Sequence, residues 1–127
     1  MTPKTVISVV DDDESIRRAL VRMIKSVGLD VETFASAEEF LASGDLINSA
    51  CLILDVGLPG ISGIDLQERL NSASCHIPII FLTANVDDRT RERVMKAGAV
   101  NCFSKPFSRN ALLDAVRAAR LRTGPRS

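Results

Sequence analysis

The sequence predicts an α/β fold in which a parallel sheet carries helices on both faces. Three observations predict it. Five short apolar runs, VISVV, LDVETF, CLIL, IIFL and VNCFS, recur along 127 residues, and runs of that length are candidate strands. Segments of helical period lie between them, and strands alternating with helices imply a parallel sheet with right-handed crossovers. Four of the runs also end abruptly in a polar residue suited to phosphate or metal chemistry: VISVV meets Asp11 and Asp12, CLIL meets Asp55, IIFL meets Thr83 and VNCFS meets Lys105. In an open parallel sheet the carboxyl ends of the strands share one edge, where ligands bind. Three carboxylates, a hydroxyl and an ammonium are therefore expected at one place.

Each element has its own justification. The first strand is expected at Thr5–Val10. A helix follows in which Ile16, Ala19, Leu20, Met23, Ile24 and Val27 recur at steps of three and four, the pattern of one buried face. Gly28 is placed to end it in a left-handed cap. The second strand is expected at Leu29–Phe34. Ser36 and Glu39 have the spacing of a capping box opening a short helix that Gly44 closes. The third strand spans Ala50–Leu54. The loop DVGLPGISG then opens a third helix, with Ser62 and Asp65 as caps. Pro78–Leu82 is the fourth strand, and a fourth helix starts at Asp87 or Asp88 and runs to Lys96, with Gly98 beyond it. Ala99–Ser104 is the fifth strand. Ser108 caps a last helix whose inner face carries Leu112, Leu113, Val116 and Ala119.

The bulk properties fit one domain with one continuous core. Residues 1–122 are expected to form it, with 123–127, TGPRS, as a tail or linker stub. Lys plus Arg and Asp plus Glu are equal at 16 each, so net charge argues for neither a nucleic-acid nor a membrane surface. Cys51, Cys75 and Cys102 are odd in number and lack metal-ligand spacing, which suits a reducing cytoplasm. The opening MTPKTVISVV has too short an apolar stretch for a signal peptide, and no stretch has the length of a membrane span. His76 sits in the polar NSASCH segment before Pro78 and reads as a loop residue.

Taken singly the polar residues have plain readings. Asp11 to Glu14 can be solvated cap residues, Asp55 a turn former, Thr83 a strand or cap residue and Lys105 a surface lysine. Together they make a coherent chemistry. Clustered carboxylates repel and recruit a cation. Magnesium binds through one or two carboxylates and completes its octahedron with water and phosphate oxygens. A carboxylate can be a nucleophile that forms an acyl phosphate, and a hydroxyl and an ammonium can stabilise charge on a transferring phosphoryl group. Pro106 after Lys105 allows a cis peptide there.

The stretches VVDDDESIRRAL, LILDVGLPGISGIDL, FLTA and FSKPF, with their spacing, resemble the receiver domain of bacterial two-component response regulators over residues 5–121. The resemblance implies a flavodoxin-like, doubly wound five-stranded sheet of order 2-1-3-4-5 with five helices. It implies that Asp55 accepts a phosphoryl group from a histidine kinase or phosphotransfer protein, that Asp12 binds magnesium directly with Asp11 assisting, and that the backbone carbonyl of Gly57 is a third protein ligand. Thr83 would hydrogen-bond the phosphoryl group and Lys105 would pair with it. Pro59, Gly60 and Gly63 match the loop that shapes the site, and Gly57 and Asn85 match positions that influence phosphoryl lifetime. The expected output is a changed surface around the fourth helix, fifth strand and fifth helix, read by a downstream protein or an attached output domain, with homodimerisation on phosphorylation left open. Direct nucleic-acid binding by these residues, membrane association and enzyme turnover are not expected.

One position departs from the family pattern. The family usually has Tyr or Phe three residues before the lysine, and here that position is Cys102. Phe103 should face the opposite side of the sheet. Cys102 therefore keeps a second reading open, a receiver-like binding module that works without phosphorylation. A small phosphatase using an aspartyl-phosphate would carry a second aspartate two residues after the nucleophile, and Gly57 stands there instead.

Overall fold

The computed structural model describes residues 6–44, 49–84 and 87–122. Strands and helices alternate through the described chain: β1 (Val6–Val10), α1 (Glu14–Lys25), β2 (Asp30–Phe34), α2 (Ala37–Ser43), β3 (Ser49–Asp55), α3 (Gly63–Ser72), β4 (Ile79–Thr83), α4 (Asp88–Lys96), β5 (Asn101–Ser104) and α5 (Arg109–Arg122). The five strands form one sheet in the order β2-β1-β3-β4-β5, and every neighbouring pair is parallel. This is the flavodoxin-like topology expected from the sequence.

The sequence places the elements well and their ends less well. β3 and β4 each run one residue further than expected, so Asp55 and Thr83 are the last residues of their strands rather than the first of their loops. The reason is pairing: Asp55 lies opposite Leu82, and Thr83 opposite Ser104. β2 starts at Asp30 and β5 at Asn101, later than the apolar residues alone suggest. The backbone of Leu29 and Ala99 is taken up instead by the preceding helix ends. Leu29 donates to the Ile24 carbonyl and Ala99 to the Val94 carbonyl. Ala19, expected on the buried face of α1, is exposed. The stripe narrows to Leu20 and Ile24, with Ile16 and Met23 packed at its edge. Thr5, Asn85 and the tail 123–127 lie outside the described residues.

Caps explain where the helices begin and end. Asp13 accepts from the N–H groups of Ser15 and Ile16 at the start of α1, Ser36 from Glu39 N–H at α2, and Asp87 from Thr90 N–H at α4. The reciprocal capping box forms at α3, between Ser62 and Asp65. Such caps satisfy N–H groups that have no partner within the helix. α1, α3 and α4 end alike. In each, a residue of positive φ donates to the carbonyl three back, and the next residue donates to the carbonyl five back. Gly28 and Gly98 fill that position in α1 and α4, at φ 81° and 107°, but α3 uses Ser74 at φ 56°.

Two apolar layers sandwich the sheet. On one face, residues of β1, β3 and β4 pack with Leu20 and Ile24 of α1 and Leu112, Val116 and Ala119 of α5. On the other, Phe40 of α2, Leu66 and Leu70 of α3 and Val94 of α4 meet Leu52, Leu54, Phe81 and Cys102. A fully buried large aliphatic side chain contributes roughly 1.5–3 kcal/mol. By that measure α4 is weakly anchored, since Val94 is its one buried residue.

Candidate functional site

The β1 end is built by hydrogen bonds of Asp11 and Asp13, which flank Asp12. Asp11 is buried at 1% exposure. Its N–H donates to the Phe34 carbonyl at 3.1 Å, which extends the β1–β2 pairing by one residue. Asp13 N–H donates to Asp11 Oδ1 at 2.9 Å, and the Asp13 side chain caps α1. Asp12, between them, is exposed. Arg17, one turn into α1, donates from Nη1 to the Asp11 carbonyl at 2.8 Å.

The β3 end brings Asp55 to the same edge. Gly57 N–H donates to Asp55 Oδ1 at 3.1 Å, which curls the loop over the carboxylate. α3 then packs directly against this turn: a Cβ on Gly63 would overlap the Asp55 carbonyl oxygen. Only glycine lets the helix approach that closely. The loop is braced from α2, where Glu38 Oε2 accepts from Ile61 N–H at 3.3 Å and lies against the α-carbon of Gly60.

Thr83 and Lys105 close the far side. Lys105 N–H donates to the Thr83 carbonyl at 2.8 Å, so the two residues are fixed relative to each other by main chain. The Lys105–Pro106 peptide is cis. Thr83 is buried at 6% exposure. The Lys105 ammonium reaches across to Asp11 Oδ2 at 2.9 Å and Asp55 Oδ2 at 3.5 Å. The structure thus brings Asp11, Asp12, Asp55 and Lys105 together at one edge, with Thr83 tied to Lys105 through main chain and Gly57 at the Asp55 carboxylate through its N–H.

Electrostatically the site is a balance of opposing effects. Burial pushes the Asp55 carboxyl above the ordinary aspartate value, with Asp11 and Asp12 adding repulsion, while Gly57 N–H and Lys105 oppose the rise. Burial would lower the Lys105 ammonium, but Asp11 and then Asp55 outweigh it and leave it raised. One carboxylate oxygen from each of Asp11, Asp12 and Asp55 lies within 4.8 Å of the others. Asp11 Oδ2 is buried and makes no aligned hydrogen bond, despite its ion contact with Lys105. An all-oxygen set with a spare buried lone pair and a solvent-facing member fits a hard divalent cation that keeps some water.

Cys102 is buried beside Val94 on the α3–α4 face, and Phe103 packs on the opposite face, as strand alternation requires. Burial pushes the Cys102 thiol up and the Cys51 thiol up to about 12, so both behave as small apolar residues. His76 is exposed in the connection between α3 and β4.

Several contributors escaped sequence reasoning. Arg91 Nη1 donates to the Cys102 carbonyl at 2.8 Å. Gln67 and Asn71 of α3 donate to the Val94 and Ala97 carbonyls at the end of α4, at 3.0 and 2.9 Å. These are long-range side-chain bonds to backbone, which leave no periodic mark. Arg17 did have a local signal, since it stands one helical turn beyond the Asp13 cap.

A family model described as the response regulator receiver domain matches residues 7–117. Among curated relatives, Nodulation protein W of Bradyrhizobium diazoefficiens is 50% identical over 116 residues, covering 91% of this chain and 51% of its own length. Response regulator protein TodT of Pseudomonas putida is 44% identical over 115 residues, with the same coverage of both chains. The chain thus spans about half the length of these relatives. Among solved structures, response regulator StyR superposes with a TM-score of 0.88 at 44% identity, covering 94% of this chain and 61% of that one. FixJ-N superposes with a TM-score of 0.86 at 32% identity, covering 98% of this chain and 100% of that one.

Proposed function

The chain belongs to the response regulator receiver domain family of two-component signalling, and from that premise we propose that Asp55 is its phosphoacceptor, that Asp11, Asp12, Asp55 and the Gly57 carbonyl hold Mg2+, and that Thr83 and Lys105 receive the transferred group. The observation that carries this is the Lys105 ammonium spanning Asp11 and Asp55 at the edge where three carboxylates meet.

In the transfer, an Asp55 carboxylate oxygen attacks the phosphorus of a phosphohistidine on a histidine kinase or phosphotransfer protein. A P–O bond forms, the P–N bond breaks, and its electron pair returns to the imidazole. Asp55 Oδ1 is tied to Gly57 N–H, so Oδ2, which faces Lys105, is the oxygen free to attack. Lys105 then shifts from the carboxylate pair to the phosphoryl oxygens, and the Thr83 hydroxyl donates to another of them. Donors and cations aimed at those oxygens stabilise the charge that develops on them. When bound, Mg2+ supplies positive charge that keeps Asp55 ionised and offsets charge on the phosphoryl oxygens.

The outcome is a modified protein rather than a released product, which makes the chain a signalling module and not a turnover enzyme. Residues 1–122 form the receiver. Its readers are a downstream protein or an output domain attached beyond these residues, in a cytoplasmic setting. Among the described residues, no helix is long and apolar enough to cross a membrane. Amide NMR with Mg2+ and beryllofluoride, a phosphoryl analogue, tests the assignment. Shifts at Asp55, Thr83 and Lys105 that vanish in Asp55→Asn are expected. An unchanged wild-type spectrum, or equal shifts in Asp55→Asn, contradicts it.

A further inference from the structure

The cation site has one member with no side-chain hydrogen bond of its own among the described residues. Asp11 is held by Asp13 N–H and Lys105, and Asp55 by Gly57 N–H and Lys105. Asp12 is exposed, and its carboxylate takes its direction from its backbone. That backbone is the Asp11–Asp12 peptide. Its carbonyl receives the Arg17 guanidinium at 2.8 Å, in a partly buried bond. Arg17 is itself fixed, since its own N–H donates to the Asp13 carbonyl at 3.1 Å in the first turn of α1. The helix that begins at the Asp13 cap thus reaches back to clamp the peptide from which Asp12 projects.

We infer that Arg17 is a positioning residue for the divalent cation: it fixes the Asp11–Asp12 peptide so that Asp12 points into the carboxylate cluster before any cation arrives. This deepens the proposed function and rests on it. Outer partners that orient metal ligands are commonly worth 10–100-fold in metal affinity. Charge and positioning act on Mg2+ affinity with opposite signs. A guanidinium beside a cation site repels the cation, so on charge alone its removal should tighten Mg2+ binding. If Arg17 acts by positioning, removal weakens it.

The test is calorimetric titration of the metal-free protein with magnesium chloride, since a chain with no Trp and no Tyr offers little intrinsic fluorescence. Arg17→Met should bind Mg2+ about tenfold or more weakly than wild type. Arg17→Lys, which keeps the charge and one donor, should recover part of the loss. Arg18→Met removes a neighbouring exposed arginine paired with Glu14 and should change affinity by less than about twofold. Thermal unfolding without Mg2+ is recorded for each, so that affinities are compared between folded proteins. If Arg17→Met fails to fold, Arg17→Gln, too short for the same bond, takes its place with the same expectation. Equal or tighter Mg2+ binding by the folded Arg17 variant overturns the inference while leaving the proposed function intact. No Mg2+ binding by wild type overturns both.

Discussion

At the scale of single residues, the site is built from groups that oppose one another, and Asp55 bears the conflict. Its pKa is raised above 3.8, first by burial, against the Gly57 N–H. The consequence for stability has a definite sign. Well above the raised value, Asp55 is ionised in both folded and unfolded chains, and the folded state bears the cost. As pH falls through the raised value the folded state takes up the proton first, the cost is relieved, and below about 3.8 none remains. Asp55→Asn should therefore stabilise the metal-free protein at neutral pH. The gain should shrink as pH falls toward 4 and as Mg2+ is added, because a cation that binds the native carboxylates stabilises wild type. Urea unfolding of both proteins at several pH values checks this, and a gain that grows on acidification contradicts it. At this scale the sequence was informative, since Asp11, Asp12, Asp55 and Lys105, which follow apolar runs, lie together at the sheet edge. It was silent on long-range partners such as Glu38 and Arg91, because a side chain bonded to distant backbone leaves no spacing to detect.

At the scale of elements, apolar runs, helical period and capping residues together located the ten strands and helices of the described residues. Ends were harder. β3 and β4 stop where their neighbours stop pairing, which depends on register across the sheet and not on local residue type. The three matching helix ends show both outcomes. Gly28 and Gly98 announce themselves, whereas the equivalent turn after α3 is made by Ser74 and hides in a polar segment. A non-glycine residue in the left-handed region costs about 1–2 kcal/mol. Ser74→Gly should recover about 0.5–1 kcal/mol after glycine's extra unfolded freedom is deducted. The expected measurement is a higher urea midpoint with an unchanged slope. A lower midpoint would mean that the Ser74 side chain supports the turn.

At the scale of the whole molecule, stability is unevenly distributed. β1, β3 and β4 are buried on both faces, while α4 is attached by Val94 and by polar ties at its carboxyl end and its middle. Gln67 and Asn71 hold its carboxyl end to α3, and Arg91 holds its middle to the Cys102 carbonyl on β5. An element with few apolar contacts opens at low free energy. Amide protons of α4 should exchange at least about tenfold faster than those of β3, and similar protection in both would contradict the uneven anchoring. Cys102 shares an apolar cluster with Val94 of α4, and Arg91 adds a hydrogen bond from α4 to the Cys102 carbonyl on β5. Sequence could identify Cys102 as a departure, but the Arg91 bond to its carbonyl comes from eleven residues away and appears only in the fold.

Asp55 is the proposed phosphoacceptor. The most direct measurement is intact mass of wild type and Asp55→Asn after incubation with Mg2+ and acetyl phosphate. One added phosphoryl group on wild type, absent from Asp55→Asn and absent without Mg2+, is predicted. No adduct on Mg2+-binding wild type, or an equal adduct on Asp55→Asn, would contradict it.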